Sequence, residues 1–186
     1  MNIYKALNTQ TYTTAEFSLV PIRFEDRLDI MKWRNEQIYH LRQESPLSVE
    51  NQEIYFSTVI DKLFDQVQPQ QILFSFLENG VCIGYGGLVH INWIDKNAEI
   101  SFIMNTKLEE ARFENLWTAY LKLIEQVAFT DLKFHKIFTF AFDLRPKLYE
   151  ALVCADFKED ARLVEHCFFD GKYIDVLIHS KFNSKC

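Results

Sequence analysis

Glycine and proline are scarce in this 186-residue chain, 5 and 4 respectively, so few positions are free to take left-handed or tightly looped backbone. The four cysteines, Cys82, Cys154, Cys167 and Cys186, show no CxxC spacing and no regular framework. They exclude a disulfide-stapled secreted module and read as reduced thiols in a cytoplasmic protein. His166, Cys167 and His179 lack the ligand spacing of a zinc site, and no metal is expected. Positive charge is also short: 20 Lys and Arg stand against 26 Asp and Glu, a net charge of −6, the wrong sign for a duplex nucleic-acid binder. No stretch reaches the roughly 18 consecutive apolar residues of a membrane span, and residues 1–15 hold no apolar run behind a basic stretch. The expectation is a soluble protein that engages neither membrane nor nucleic acid. No repeat, low-complexity tract or linker interrupts the chain, so residues 1–186 read as one domain.

What the chain has is apolar mass, 48% of its residues with 17 Phe, 8 Tyr and 3 Trp, enough for a sizeable core. Phe17-Ser18-Leu19-Val20-Pro21-Ile22 reads as a strand. Asp26 then opens a helical pattern carrying Leu28, Met31 and Leu41. Ser48 is placed to cap a second helix, with Tyr55, Phe56, Val59, Ile60, Leu63 and Phe64 on one face. Residues 72–77 and 81–91 are strand-like around the hairpin signal Asn79-Gly80, and residues 98–104 return as a third strand of the meander. A long helix follows to about Phe129, with an apolar face running from Phe113 to Ala128. Residues 135–141 form a further strand, Pro146 starts a helix, and residues 163–169 and 173–182 flank a second hairpin signal, Asp170-Gly171. The succession β-α-α-β-β-β-α-β-α-β-β specifies an α/β (α+β) fold: a mixed, mostly antiparallel sheet flanked by helices.

That order, together with Lys32-Trp33-Arg34-Asn35, Ile83-Gly84-Tyr85-Gly86-Gly87-Leu88, Ala98-Glu99-Ile100-Ser101-Phe102, Val127-Ala128-Phe129 and Gly171-Lys172-Tyr173-Ile174-Asp175-Val176, resembles the GNAT superfamily of acetyl-CoA-dependent N-acetyltransferases. The likeness covers nearly the whole chain and leans to the ribosomal-protein and amino-sugar branches. It implies that Ile100, Ser101, Phe102 and Ile103 offer backbone groups to the pantetheine arm of acetyl-CoA and that the next helix receives the pyrophosphate. A helix N-terminus suits that task, since its unpaired N–H groups and partial positive charge face the anion. The family's Arg/Gln-x-x-Gly-x-Gly/Ala loop falls here on Arg112, with Phe113, Asn115 and Trp117 near where small residues stand. Thr106-Lys107-Leu108-Glu109 reads as a capping box that starts the helix early and places Glu109 and Glu110 beside the anion. Lys107 and Arg112 are the cations placed to bind it.

Acetyl transfer needs an amine stripped of its proton and, in many cases, an acid for the departing thiolate. If residues 93–96 form the turn, Asn92 pairs with Asn97 and His90 lies opposite Glu99. Such a pair reads either as a structural salt link or as a base, Glu99, oriented or relayed by His90. By alternation Ser101 shares the face of Glu99, and Gly84 and Gly86 that of His90. The family's acid is a Tyr in the helix after the fifth strand. Leu148-Tyr149 matches it in one register, whereas counting back from Phe157 puts Leu152 there, and Tyr149 reads equally as a core tyrosine.

For the acceptor, Arg34, Asn35, His40 and Arg42 form a polar set, with Arg34 suited to a bidentate phosphate contact. Trp33, Tyr85 and Trp93 offer faces for a base or sugar, although Trp33 also reads as core and Arg34 as a solvated helix position. The resulting expectation is transfer of acetyl to a primary amine of a nucleotide-linked amino sugar. The alternatives are acetylation of protein N-termini of the ribosomal-protein type and a non-catalytic GNAT-like module that no longer binds CoA. The aromatic content also leaves room for a homodimer.

Overall fold

The computed structural model describes residues 2–41 and 43–184; Arg42 and Cys186 lie outside them. Eight strands form one sheet in the order β1-β2-β3-β4-β5-β6-β8-β7. They are β1 (Tyr12–Thr13), β2 (Phe17–Pro21), β3 (Ile72–Glu78), β4 (Val81–Asn92), β5 (Asn97–Met104), β6 (Lys136–Phe142), β7 (Lys158–Phe169) and β8 (Lys172–Phe182). All neighbours run antiparallel except β5 and β6, which are parallel. Both hairpins form as expected: Asn79 and Gly80 take φ of 49° and 83°, Asp170 and Gly171 of 47° and 79°, the left-handed pairs that match strand twist. Strand β7 begins at Lys158, five residues before the periodic signal, because it is an edge strand exposed along most of its length and so carries little apolar alternation.

Helices cover both faces. On one lie α1 (Arg27–Glu36) and α2 (Val49–Tyr55), the latter running through a wide turn, Phe56–Ile60, into α3 (Asp61–Leu63). Ser48 caps α2 as expected, its Oγ accepting from Asn51 N at 3.1 Å. The buried face of α1 is Ile30 and Trp33 rather than Leu28, which is exposed, and Leu41 falls beyond the helix end. On the opposite face lie α4 (Thr106–Glu125) and α5 (Pro146–Cys154), the latter with Pro146 in its first turn. The aromatics are spent mainly on this second face. Phe102 of β5 stacks on Tyr120 of α4 at 3.9 Å, Trp117 meets Phe102 edge-on at 5.0 Å, and Phe76 meets Tyr120 at 5.8 Å; such pairs add directional contact to the area they bury.

The start of α4 differs from the expected capping box. Asn105 is the cap, its side chain accepting from Lys107 N at 3.1 Å, while Glu109 reaches across to Arg145 and is unavailable to close a box. The helix is also bent, since Arg112 has φ −130° and ψ 15°. Among the described residues no helix is long and apolar enough to cross a membrane.

Candidate active site

The site follows from where β5 and β6 stop pairing. They share three rungs, Asn97 with Lys136, Ala98 with Ile137 and Glu99 with Phe138, after which β6 continues on β8 while β5 stays on β4. The strands therefore diverge and a wedge opens in the middle of the sheet. Residues 99–103 line one wall and residues 139–142 the other, with His40, Trp117, Arg145 and Leu148 closing it. The main-chain groups of β5 that face β6 lose their strand partner here, which is what an extended ligand lying alongside requires. The cleft, open on one side, offers about 120 Å³. At its edge the Arg145 guanidinium pairs with Glu109, lies 5.1 Å over the Phe113 ring, and sits 3.4 Å from His40 Nδ1.

Glu99 stands at the apex of the wedge. It is 7% exposed, and its Oε2 lies 2.8 Å from Nδ1 of the solvent-facing His90. The pair expected from strand arithmetic is present, but by a different register. Val89, not His90, is opposite Glu99, because a bulge between Val89 and Asn92 inserts an extra residue and turns His90 to φ 48°. Such bulges re-aim side chains, and this one swings the imidazole onto the carboxylate. The glycines move accordingly: Ser101 shares the Glu99 face with Tyr85, Gly87 and Val89, whereas Gly84 and Gly86 lie on the other face with Phe102 and Met104. There Gly86 allows close approach, since a Cβ would collide with the Ser101 carbonyl oxygen and meet the Tyr120 hydroxyl.

On the Glu99 face, α1 and α2 leave a hollow of about 410 Å³ lined by Arg34, Asn51, Gln52, Tyr55, Gln71, Tyr85, Val89 and Ser101 among apolar neighbours. Arg34 is not a solvated surface group. Its Nη1 donates to Tyr85 Oη at 2.6 Å and its Nε to Gln43 at 3.0 Å, so the cation is aimed along the hollow by neutral partners. Gln71 donates to Tyr55 Oη at 3.1 Å on the opposite wall.

Other expected residues are occupied elsewhere. Asn35 clamps the 43–47 loop, accepting from Leu47 N at 2.7 Å and donating to its carbonyl at 2.9 Å. Trp93 donates to Pro69 O and packs on Phe134, and Trp33 is core at 3% exposure. His40 faces the wedge, not the hollow, and burial together with the Arg145 charge pushes its pKa down to about 3. Arg112 forms a two-pronged pair with Glu78, at 2.6 and 2.9 Å, which holds the carboxyl below its usual range. Lys107 is exposed in the first turn of α4. Tyr149 lies on the α5 side of the sheet, stacked on His179 at 5.2 Å, with its hydroxyl donating to Phe142 O at 3.1 Å rather than lining the wedge. Burial, reinforced by Asp143, raises its pKa. Sequence reasoning passed over Thr139 and assigned Trp117 and Arg145 no role. Alternation along β6 and the position just before Pro146 were the available signals.

A wedge for an extended ligand, a carboxylate at its apex and a hollow for a second molecule beyond it define a two-substrate transferase. The family model for an acetyltransferase (GNAT) domain matches residues 19–176, and the chain belongs to that family; it is an N-acetyltransferase with acetyl-CoA as co-substrate. Among solved structures it is similar to a spermidine N-acetyltransferase from Vibrio cholerae in complex with CoA and spermine, with TM-score 0.77 and 23% identity over 92% of this chain and 98% of that one. A probable acetyltransferase superimposes with TM-score 0.72 and 16% identity over 95% and 98% of the two chains. No curated protein matches the sequence at a significant level.

Proposed function

We propose that the chain transfers acetyl from acetyl-CoA to the primary amine of a small molecule that also carries an anionic group, with a nucleotide-linked amino sugar as the substrate class. The observation that carries this reading is Arg34, held by neutral partners in a hollow whose described lining contains no carboxylate. A guanidinium there favours a phosphate or carboxylate on the acceptor. The surrounding amides and hydroxyls suit sugar oxygens.

In this mechanism Glu99 takes the proton of the ammonium, directly or through a water, and His90 passes it to solvent. The freed amine bonds to the thioester carbonyl carbon, and β5 main-chain groups at residues 100–103 hold the arm and the developing oxyanion. The carbonyl re-forms as the C–S bond breaks, and the new amide nitrogen gives its second proton to Glu99, which has passed the first on through His90. Tyr149, on the other face of the sheet, is the proposed donor to the thiolate, giving up its bond to Phe142 O to do so and recovering its proton from solvent. Tyr85 and Arg34 hold the acceptor. Asn35 and Trp93 support the loops around it. Lys107 serves the pyrophosphate, and Arg112 joins it only by leaving Glu78.

A second reading, acetylation of a polyamine, is favoured by the structural likeness to the spermidine enzyme. A polycation would place its further ammonium groups in the field of Arg34 without a lining carboxylate to compensate. The deciding experiment measures CoA thiol release with amino-sugar nucleotides, spermidine and basic peptides side by side. The expected outcome is turnover of the anionic amine alone; comparable kcat/KM for spermidine would overturn the proposal.

A further inference from the structure

Two polar atoms in the wedge have no partner. Trp117 and Thr139 are each 3% exposed, both line the cleft, and neither the indole Nε1–H nor the threonine Oγ1 makes a hydrogen bond. Buried groups of this kind are costly and rare in folded chains, and those that persist call for an explanation. They stand on one side of the sheet: Thr139 is two residues on from Ile137, which pairs with Ala98, and Trp117 packs edge-on against Phe102 at 5.0 Å. That side is opposite Glu99 and the acceptor hollow. Ile100, Phe102 and Leu148 line the cleft beside them, with Glu99 at the apex and Arg145, already paired with Glu109, at the edge, a setting with room for a neutral amide between the charged groups. An indole N–H only donates, so its partner is an acceptor such as a carbonyl oxygen. A threonine hydroxyl donates or accepts and suits either end of an amide.

We infer that Trp117 Nε1 and Thr139 Oγ1 are side-chain ligands for an amide of the pantetheine arm, anchoring CoA from the face opposite the acceptor. This rests on the acetyl-CoA reading of the wedge. It also accounts for a large residue where the family loop is small: Trp117 supplies a directed donor to the arm in place of close backbone approach to the pyrophosphate.

The test uses the full chain with ¹⁵N-labelled tryptophan, whose three indoles give three N–H signals. Trp117→Phe assigns one of them. Titration with CoA is expected to move that signal, and titration with adenosine 3′,5′-bisphosphate, which lacks the arm, to leave it in place. Thr139→Val, which keeps the side-chain shape, is expected to weaken CoA binding about tenfold, the scale of one hydrogen bond, while leaving the affinity for adenosine 3′,5′-bisphosphate unchanged. CoA bound with the Trp117 signal unmoved, or Thr139→Val binding CoA as tightly as wild type, overturns the inference and spares the acetyl-CoA reading. Failure of the wild-type chain to bind CoA at all overturns both.

Discussion

Replacing Glu99 with Gln removes a base while changing little else. Glu99 is 7% exposed, at the last rung β5 shares with β6, with its carboxylate 2.8 Å from His90 Nδ1. Glutamine keeps the volume and can still bond the imidazole, but it cannot accept the proton of the ammonium. A positioned general base contributes about 10²–10⁴-fold to rate, or about 3–5 kcal/mol of barrier. Weakening one charge-assisted bond to an exposed histidine costs stability by only about 1 kcal/mol, a Tm change of about 2–4 °C in a chain of this size. Glu99→Gln is therefore expected to lose kcat by two to four orders of magnitude. Its KM for acetyl-CoA should stay within about threefold, because the β5 main chain at residues 100–103 and the β6 wall at residues 139–142 are untouched by the change. The assay is initial-rate thiol release across pH 5–9, with Tm measured on the same samples. A folded Glu99→Gln enzyme that keeps kcat within threefold of wild type at every pH refutes the assignment.

Three further outcomes follow from the geometry. Arg34→Met removes a charged contact worth about 1.5–3 kcal/mol, so KM for a phosphate-bearing amine should rise about 10–100-fold with little change in kcat; an unchanged KM places the anion elsewhere. Gly86→Ala forces a Cβ against the Ser101 carbonyl, and overpacking of this kind costs about 1–3 kcal/mol, seen as a lower Tm by thermal melt; an unaltered Tm would show that β4 and β5 can part without cost. His40 is held neutral by burial and by Arg145, with its pKa down to about 3, whereas the unfolded chain binds that proton near 6.5. Its contribution to stability is therefore intact above pH 6.5 and is lost as pH falls from there towards 3. His40→Asn should flatten that part of the stability–pH curve in denaturant titrations, and an identical slope would refute the linkage.

Apart from the two-residue β1, which has no periodic signal of its own, the sequence specified the element order and both tight turns, because periodicity, capping by Ser48 and the Asn79-Gly80 and Asp170-Gly171 pairs act over a few residues. It also picked out Glu99 and His90 as partners, and the scarcity of glycine told truly that the turn into α4 is built without one: Asn105 caps it and Arg112 bends it. What local signals could not carry was the bulge at His90, which exchanged the faces assigned to the glycines, since β4 ends at Asn92 and too few residues follow the bulge for the change of phase to show. Nor did they carry the loss of Asn35 and Trp93 to loop clamping or the coupling of Arg145 to Glu109, each set by a partner twelve or more residues away, or the turn of Tyr149 onto Phe142 and His179, the latter on β8. The wedge itself belongs to tertiary structure. Strands β5 and β6 are each held on their outer side, by β4 and β8, and the sheet opens between them after three rungs because those outer pairings continue while the shared one ends.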